Sequence, residues 1–234
     1  MKSYFIPGAE RAPSVRALFD QISCCYDLIN DLQSFGLHRL WKKRLIRLAK
    51  LGPADSVLDI CCGTADLLRH AHPAAIRTGI DFSFGMLSRA ASRSSTAKIN
   101  FLQGDALALP IKDEACDVIL IGYGLRNLAD LGQGLREMFR VLKKGGRILA
   151  LDFSKPKNRI LRRWYFLYLQ YFVPLCGGFL ANDRSAYSYI AESLEAYPEA
   201  EVITALLGHT GFVQVKHLAL CAGTMAIHTA RKHG

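Results

Sequence analysis

Between residues 53 and 155, short apolar runs alternate with segments of helical periodicity, and this alternation restricts the chain to a parallel-sheet architecture. Gly52 and Pro53 end a preceding amphipathic segment, and the pattern changes immediately after them. Strand-sized runs separated by helices are typical of βαβ units, whose strands pair in parallel. The predicted strands cover residues 56–61, 78–81, 99–103, 117–123 and 147–153, with helices at 65–70, 84–92 and 131–142.

Helical segments precede this alternation, and a pair of strands follows it. Apolar residues at three- and four-residue spacing predict helices over residues 15–30, 37–51, 185–196 and 199–207. Predicted strands at 212–219 and 224–229 are joined by the short Ala222-Gly223 connection, so the sheet should end in a hairpin with one antiparallel strand. We predict a doubly wound, Rossmann-like α/β fold with a seven-stranded mixed sheet, six strands parallel and one antiparallel.

Composition narrows the class of protein. The 234 residues suit one large α/β domain. No run of about 20 uncharged apolar residues is present, and Pro7 and Glu10 lie where a signal peptide would need its apolar core. The seven cysteines include two adjacent pairs and no Cys-x-x-Cys, which disfavours a disulfide framework and a zinc site. We therefore expect a cytoplasmic protein with no bound metal.

Three acidic residues follow successive predicted strands. Asp59 lies in the first strand before a glycine-containing turn, Asp81 ends the second strand, and Asp105 follows the third. The carboxyl ends of parallel strands meet at one edge of a sheet, where carboxylates can bind a ribose hydroxyl pair or an adenine amino group. Each position also has a structural interpretation, as part of a tight turn, a helix cap or a surface turn. Together the three residues favour an adenosine-containing cofactor.

The first of these turns lacks a phosphate-binding sequence. It reads Cys61-Cys62-Gly63-Thr64-Ala65-Asp66, without the G-x-G-x-x-G triplet of dinucleotide sites. S-adenosyl-L-methionine is the cofactor that fits, because it has an adenosine but no phosphate. At Asp59, Gly63 and Asp66 the chain resembles the class I methyltransferases, which use this cofactor.

A closer resemblance covers nearly the whole chain. The sequence is similar to the quinone-biosynthesis C-methyltransferases, which comprise the demethylmenaquinone methyltransferases and the methoxy-polyprenyl-benzoquinol methylases. The segments that carry this similarity are Phe19-Asp20, Tyr26-Asp27, Phe35-Gly36, His38-Arg39, Trp41-Lys42, Gly122-Tyr123-Gly124-Leu125-Arg126-Asn127, residues 137–142, Gly145-Gly146-Arg147, Asp152-Phe153-Ser154-Lys155-Pro156, residues 187–193 and Gly211-Phe212.

The resemblance implies a substrate and a set of cofactor contacts. The first turn is more similar to the menaquinone and phylloquinone members, and Gly122 stands where benzoquinone enzymes tend to have serine. This implies C-methylation of a prenylated quinol, demethylmenaquinol to menaquinol, with the ubiquinone-pathway reaction as the alternative. The residues expected to contact S-adenosyl-L-methionine are Asp59, Gly63, Thr64, Asp81, Asp105, Ala106 and Gly122.

On this interpretation the single domain has four regions. Residues 1–52 form an N-terminal helical cap, and residues 53–155 form the cofactor-binding core. Residues 156–210 form a substrate or lid insertion, and residues 211–234 form a C-terminal β-hairpin.

Methylation of a ring carbon requires electron density at that carbon, which ionisation of a ring hydroxyl supplies. Arg126 is the candidate that favours the quinolate, because a guanidinium always carries its charge and lowers the pKa of a neighbouring phenol. Asn127 is expected to hydrogen-bond the second ring oxygen. A capped turn after the fourth strand is the structural alternative for both residues.

The sequence gives weaker indications of a role for other polar residues. Asp183, Tyr187 and Tyr189 from the insertion are expected to orient the ring or to pass a proton through water. His38 and His228 are expected to be structural.

Residues 162–173 combine eight aromatic or leucine residues with neighbouring arginines and lysines. The segment is too short to span a bilayer. We expect an apolar lid that receives a polyprenyl tail while the basic residues make peripheral contact with an anionic membrane surface. A buried helix or a homodimer contact is the alternative.

Two other functions use the same fold. A nucleic-acid methyltransferase would explain the net charge of +10, but it would usually have an Asn/Asp-Pro-Pro-aromatic segment after the fourth strand or a nucleophilic cysteine. The chain has Gly124-Leu125-Arg126-Asn127 there, so nucleic acid is not the expected partner. A non-catalytic cofactor-binding protein is the second alternative, because Cys61 and Ala65 stand where many methyltransferases have glycine.

Overall fold

The computed structural model describes residues 11–23, 26–73, 75–94, 98–173 and 185–234. Its helices are α1 (Arg11–Ile22), α2 (Tyr26–Ser34), α3 (Leu37–Ala49), α4 (Asp66–His70), α5 (Phe84–Arg93), α6 (Leu131–Val141), α7 (Arg159–Leu167), α8 (Ser185–Ala196) and α9 (Ala200–His209). Its strands are β1 (Ser56–Ile60), β2 (Ile76–Asp81), β3 (Ile99–Gln103), β4 (Cys116–Gly122), β5 (Leu142–Phe153), β6 (Phe212–Leu220) and β7 (Met225–Lys232).

The seven strands form one sheet in the order β3-β2-β1-β4-β5-β7-β6. Strands β1 to β5 pair in parallel, whereas β7 is antiparallel to both β5 and β6. The predicted mixed sheet, with six strands in one direction and one reversed, is therefore confirmed. The antiparallel strand is β7, which lies inside the sheet, and β6 forms the edge.

Helices cover both faces of the sheet because its central strands are apolar on both sides. In β4, Ile119 and Ile121 face one buried cluster while Val118 and Leu120 face the other. Successive strand residues point to opposite faces, so a strand buried on both sides has a continuous apolar run. The first cluster includes side chains of α6 and α9, and the second includes side chains of α3 and α4.

Several predicted boundaries differ from the structure by a few residues, and two differ by more. The single helix predicted over residues 15–30 is wrong, because α1 ends at Ile22 and α2 begins at Tyr26. The Ser23 hydroxyl donates to the Asp20 carbonyl at 2.9 Å, a local bond that competes with continued helix. The strand predicted from residue 147 is part of a longer β5, which begins at Leu142 directly after α6.

The segment before the hairpin is helical. Asn158 caps α7 by accepting hydrogen bonds from the backbone N–H groups of Ile160 and Leu161. The chain then continues as a π-helical turn over Tyr168–Phe172. Among the described residues, no helix has both the length and the apolar character needed to cross a bilayer.

Candidate active site

The turn between β1 and α4 has an unusual backbone. Cys61, Gly63 and Ala65 adopt left-handed φ values of 57°, 53° and 62°. This conformation costs a side-chain-bearing residue about 1–2 kcal/mol, so Cys61 and Ala65 hold a shape that glycine would adopt without cost. In this shape the Gly63 N–H donates to Asp81 Oδ2 at 2.8 Å, which ties the turn to the end of β2.

Asp81 lies at the carboxyl end of β2. Its second oxygen, Oδ1, accepts a hydrogen bond from the Ser83 N–H at 2.9 Å. Burial raises the pKa of Asp81 from 3.8 to about 6, and the N–H donors of Ser83 and Gly63 limit that rise. The carboxylate is therefore ionised at neutral pH and available to further donors.

Asp59 is more deeply buried and has no such donors. Its side chain is 1 % exposed, and neither carboxylate oxygen has a hydrogen-bond partner within the described part of the chain. Burial raises its pKa well above the usual value, and the charge of Asp81 adds to the increase. An uncompensated buried carboxylate is costly, so this position fits a bound cation. The ammonium of an amino-acid moiety has the required charge.

A cleft of about 800 Å³, its open mouth included, lies along the carboxyl ends of the strands. Asp81, Asp105, Ala106 and Gly122 line it together with Gly63. A smaller adjoining cavity is lined by Asp59 and Thr64, and again by Gly63 and Gly122. The structure therefore brings all seven predicted cofactor residues to one edge of the sheet.

The N-terminal helices complete this cleft. Phe19 of α1 and Tyr26 of α2 line it opposite the strand ends. Asp20 accepts hydrogen bonds from the Ser83 hydroxyl and the Gly85 N–H, which fixes α1 against α5. The Thr64 hydroxyl donates to Asp27 at 3.0 Å, so in this structure it secures α2. Sequence analysis did not predict these contacts, because the residues that they join are more than 35 positions apart in the chain.

The segment after β4 contains the predicted catalytic pair. Arg126 is 7 % exposed, and its Nη1 donates to Asp152 Oδ1 and to the Tyr123 carbonyl, both at 2.9 Å. Asn127 Nδ2 donates to the same carbonyl at 3.0 Å, and Asn127 also lines the cleft. The charge of Arg126 is thus balanced by Asp152, which sequence analysis did not foresee. Asp152 lies in β5, adjacent to β4.

A second cavity, of about 680 Å³ with its open mouth included, lies beside the cleft and is lined in part by aromatic side chains. We call it the aromatic cavity. Its wall includes Gln33, Phe35, His38, Trp41, Tyr123, Phe153, Tyr165 and Tyr168. Tyr123 is the link between the two spaces, because it lines the cleft, the small cavity of Asp59 and the aromatic cavity. It has a left-handed φ of 62° and packs 5.5 Å from the Phe153 ring.

The structure describes only some of the remaining predicted residues. Tyr187 and Tyr189 belong to α8, but their side chains are not among the described groups, and Asp183 lies outside the described residues. His228 is buried beside Thr204 and His217, and burial lowers its pKa to about 4, which agrees with a structural role.

The described cysteines near this edge are poor nucleophiles. Burial raises the pKa values of Cys61 and Cys62 well above the usual range, so both remain thiols at neutral pH. Cys116 lies at the start of β4, away from the cleft, and burial raises its pKa to about 12. This arrangement disfavours the cysteine chemistry of pyrimidine-carbon methylation.

Comparison with known proteins identifies the group to which this architecture belongs. The model of the ubiE/COQ5 methyltransferase family matches residues 8–232. The chain belongs to this family. It is 38 % identical over 235 aligned positions to the ubiquinone/menaquinone biosynthesis C-methyltransferase UbiE of Ectopseudomonas mendocina, covering 97 % of this chain and 92 % of the relative. The corresponding protein of Hahella chejuensis is also 38 % identical, covering 97 % and 94 % of the two chains.

A solved structure shows the same fold. A SAM-dependent methyltransferase from Thermotoga maritima superposes with a TM-score of 0.66 at 20 % identity, covering 93 % of this chain and 99 % of the other. Family membership confirms the predicted class I methyltransferase assignment and, with it, S-adenosyl-L-methionine as the cofactor. The orphaned carboxylate of Asp59 and the ionised Asp81 in the cleft are both compatible with that cofactor.

Proposed function

We propose that this protein transfers the methyl group of S-adenosyl-L-methionine to a ring carbon of a prenylated quinol, converting demethylmenaquinol to menaquinol. The observation that carries the proposal is the shared wall at Tyr123. A cleft edged by carboxylates and the aromatic cavity meet there, so a methyl donor and an aromatic acceptor can be neighbours. Related proteins are named for ubiquinone/menaquinone biosynthesis, which supports a quinol acceptor.

The cofactor is bound by residues of this chain in a definite order along the sheet edge. Asp81 accepts hydrogen bonds from the ribose hydroxyls, and Asp105 with Ala106 contacts the adenine. Asp59 faces the ammonium group, where its unpaired oxygens gain a partner. Gly122 lines both the cleft and the small cavity and packs closely against α4, since a Cβ there would lie 3.1 Å from Leu67 Cδ1. The cofactor supplies an activated methyl group, and the protein supplies alignment and a dry site.

The acceptor side uses the segment after β4 and the insertion. Asn127 hydrogen-bonds a ring oxygen from the rim of the cleft. Arg126 contributes a positive potential to that segment and, through its bond to the Tyr123 carbonyl, fixes the shared wall. Asp183, Tyr187 and Tyr189 remain proposed as residues that orient the ring.

The prenyl tail enters through a surface that we call the aromatic ridge. It consists of Phe35, Ile160, Leu161, Trp164, Leu167, Tyr171 and Phe172, all exposed although apolar or aromatic. Trp164, for example, is 67 % exposed. Phe35 and Tyr168 connect this ridge to the aromatic cavity, with their ring centroids 6.2 Å apart.

The ridge is bordered by positive charge. Arg159 and Arg163 are exposed on α7, and Lys157 precedes them. Exposed aromatic residues beside basic residues are typical of helices that lie at a membrane interface. We therefore propose peripheral contact with an anionic membrane surface, at which the tail leaves the bilayer and the ring reaches the cavity.

The function is tested with purified protein, S-adenosyl-L-methionine and quinones of defined redox state. Reduced demethylmenaquinone should be methylated on its ring carbon, and the oxidised quinone should not react because an electron-poor ring cannot attack a sulfonium. Mass spectrometry of the extracted quinone measures the product. Turnover of the oxidised quinone, or of neither form, would contradict the proposal.

Expression in cells lacking their own quinone methylase separates the two pathways. Restoration of menaquinone alone supports the naphthoquinol substrate, whereas restoration of ubiquinone supports the methoxy-polyprenyl-benzoquinol reaction. Binding of S-adenosyl-L-methionine without turnover on either quinol would instead support a non-catalytic protein.

A further inference from the structure

A buried histidine lines the aromatic cavity with one nitrogen unused. His38 of α3 is 3 % exposed, and its Nε2 lies 2.8 Å from Asp31 Oδ1 of α2. Its Nδ1 is buried and has no hydrogen-bond partner among the described residues. A satisfied structural histidine would use both nitrogens, so the free Nδ1 requires an explanation.

The partners of Asp31 determine where the imidazole proton lies. Asp31 also accepts two hydrogen bonds from the Arg39 guanidinium. The Arg39 bonds are the main cause that lowers the pKa of Asp31 to about 2; burial opposes this decrease, and the His38 bond adds to it. Asp31 is therefore a carboxylate, which only accepts, so His38 carries its proton on Nε2. In the neutral ring Nδ1 then has an unshared electron pair.

Three further polar groups of the same cavity are unpaired. Asn30 Nδ2, Gln33 Nε2 and the Tyr123 hydroxyl are buried without hydrogen-bond partners among the described residues. The aromatic cavity therefore holds the acceptor His38 Nδ1 and three groups that can donate. A dihydroxy aromatic ring presents hydroxyl groups that both donate and accept, which matches this set.

We propose that His38 is the general base that removes the proton from a ring hydroxyl of the quinol, and that Asp31 is the positioning residue that holds its tautomer. The proposal rests on the proposed function, because it assigns the quinol to the aromatic cavity. It replaces our expectation that His38 is only structural. A base adjoining Tyr123 also fits the geometry, since Tyr123 borders the cleft in which the methyl donor binds.

The reaction balances with one proton released. The hydroxyl O–H bond breaks, its proton moves to Nδ1, and the electron pair stays on oxygen. The ring carbon then bonds to the methyl carbon while the methyl–sulfur bond breaks, and sulfur keeps that pair. The resulting dienone loses its ring C–H proton to water, and Nδ1 returns its own proton to the ring oxygen.

The charged groups around His38 keep it neutral in the free protein. Burial lowers the pKa of His38 below 6.5, and the ammonium of Lys42, one turn along α3, lowers it further. The carboxylates of Asp31 and of Asp66 on α4 act in the opposite direction. A neutral imidazole at pH 7 is the form that a general base needs.

The first test is the pH profile of quinol methylation by the wild type, His38→Gln and Asp31→Asn, measured without oxygen. Wild-type kcat should fall on the acid side, with an apparent pKa below 6.5. His38→Gln should reduce kcat about 100-fold or more at pH 7 with little change in KM. Its residual rate should rise with pH because hydroxide then ionises the quinol. Asp31→Asn should move the acid limb to lower pH.

Controls separate this role from a structural one. His209→Gln changes an exposed histidine at the end of α9 and should leave the profile unchanged. A folded His38→Gln variant with wild-type kcat, or with a rate lowered equally at every pH, would overturn the proposal. Turnover by the wild type reports on the proposed function, so the two failures are distinguishable.

A second measurement does not depend on turnover. In ¹⁵N spectra of histidine-labelled protein, His38 should show a protonated Nε2 and an unprotonated Nδ1. Adding 1,4-dihydroxynaphthalene together with S-adenosylhomocysteine should shift the Nδ1 signal, and the His209 signals should stay in place. The opposite tautomer, or an unchanged Nδ1 signal at saturating probe, refutes the assignment even if no quinol is methylated.

Discussion

The cofactor cleft and the aromatic cavity share a wall at Tyr123, but the chain builds them in different ways. The cleft takes its polar residues from the ends of successive parallel strands, so the position of each follows from the sheet. The aromatic cavity instead combines α2, α3, the end of β5, the π-helical turn and the hairpin connection. Strand order therefore determines one site, and packing between distant helices determines the other.

The two spaces also differ in where their unused polar groups lie. The cleft and the small cavity beside it hold acidic groups: Asp59 in the small cavity has no hydrogen-bond partner among the described residues, and Asp81 in the cleft accepts from backbone N–H groups. The aromatic cavity holds neutral groups, with atoms on Asn30, Gln33, His38 and Tyr123 that are unpaired within the described part of the chain. A cationic cofactor suits the first set and a neutral quinol suits the second. The proposed reaction would therefore place its two ligands in separate spaces.

The largest effect should follow from removing the ion pair behind the shared wall. Asp152 is 1 % exposed and accepts from the Arg126 side chain and from the backbone N–H groups of Arg126 and Phe153. Asp152→Ala should lower the free energy of unfolding by about 3–5 kcal/mol, because it leaves a buried guanidinium uncompensated. Urea denaturation measures this change.

An exposed ion pair provides the matched control for that experiment. Asp113 pairs with Arg140 but is 75 % exposed, so Asp113→Ala should cost less than about 1 kcal/mol. If the free energy of unfolding fell equally in the two variants, the buried Asp152–Arg126 pair would not stabilise the shared wall more than an exposed pair does. In a separate assay of quinol methylation, Arg126→Ala should reduce kcat on the order of 100-fold if its potential favours the quinolate.

A smaller effect is expected at Asp81, the carboxylate that we propose binds the ribose. Asp81→Ala should weaken S-adenosyl-L-methionine binding by about 1.5–3 kcal/mol, which calorimetry measures. In the wild type, affinity should fall as the pH drops through about 6, because protonation removes the charge that attracts the hydroxyl donors. Unchanged affinity in a folded variant would exclude Asp81 from the site.

The raised pKa of Asp81 also affects the stability of the free protein, but in the opposite direction with pH. The pKa of Asp81 is higher in the folded state, about 6, than its usual value of 3.8. The folded state therefore binds this proton more tightly, and the resulting stability is present below pH 3.8 and lost as the pH rises through 6. A cofactor affinity and a fold stability that respond oppositely to pH would identify the cleft carboxylate as a binding group.

Sequence analysis predicted the cleft more fully than the cavity for a physical reason. Alternation of strands and helices determines where parallel strands end, so Asp81 and Asp105 could be assigned to one edge without coordinates. The left-handed turn at Cys61 and Ala65 could not be predicted, since neither residue type favours that backbone. Nor could the division of the first helix, which depends on a serine bonding back to the chain.

The cavity depends on contacts that no local pattern encodes. Asp31 and His38 are seven residues apart, on two helices separated by a turn that contains Gly36. Their pairing, and the meeting of Phe35 with Tyr168, are visible only when α2 and α3 pack against the insertion. The sequence still contained one indication of this site. Polar or charged residues lie within helices that also have apolar faces, namely Asp31, His38 and Lys42.

The smallest expected effect concerns the aromatic ridge, which we propose contacts lipid. Arg159 and Arg163 are exposed beside Trp164, and each should contribute about 1 kcal/mol to binding an anionic surface at low salt. Arg163→Gln should therefore weaken binding to vesicles containing phosphatidylglycerol about fivefold. Sedimentation over a range of salt concentrations measures the affinity, which should fall as salt screens the charges.

Arg136→Gln on α6 is the matched control for this surface, because Arg136 is also exposed and lies far along the chain from the ridge. It should bind vesicles as the wild type does. Trp164→Ser should weaken binding to neutral vesicles as well, since it removes apolar area and not charge. Binding that is insensitive to salt and to Arg163 would remove the membrane from the proposed route of the prenyl tail. If sedimentation without lipid then showed a dimer that Trp164→Ser dissociates, the ridge would be an interface between two copies of the chain.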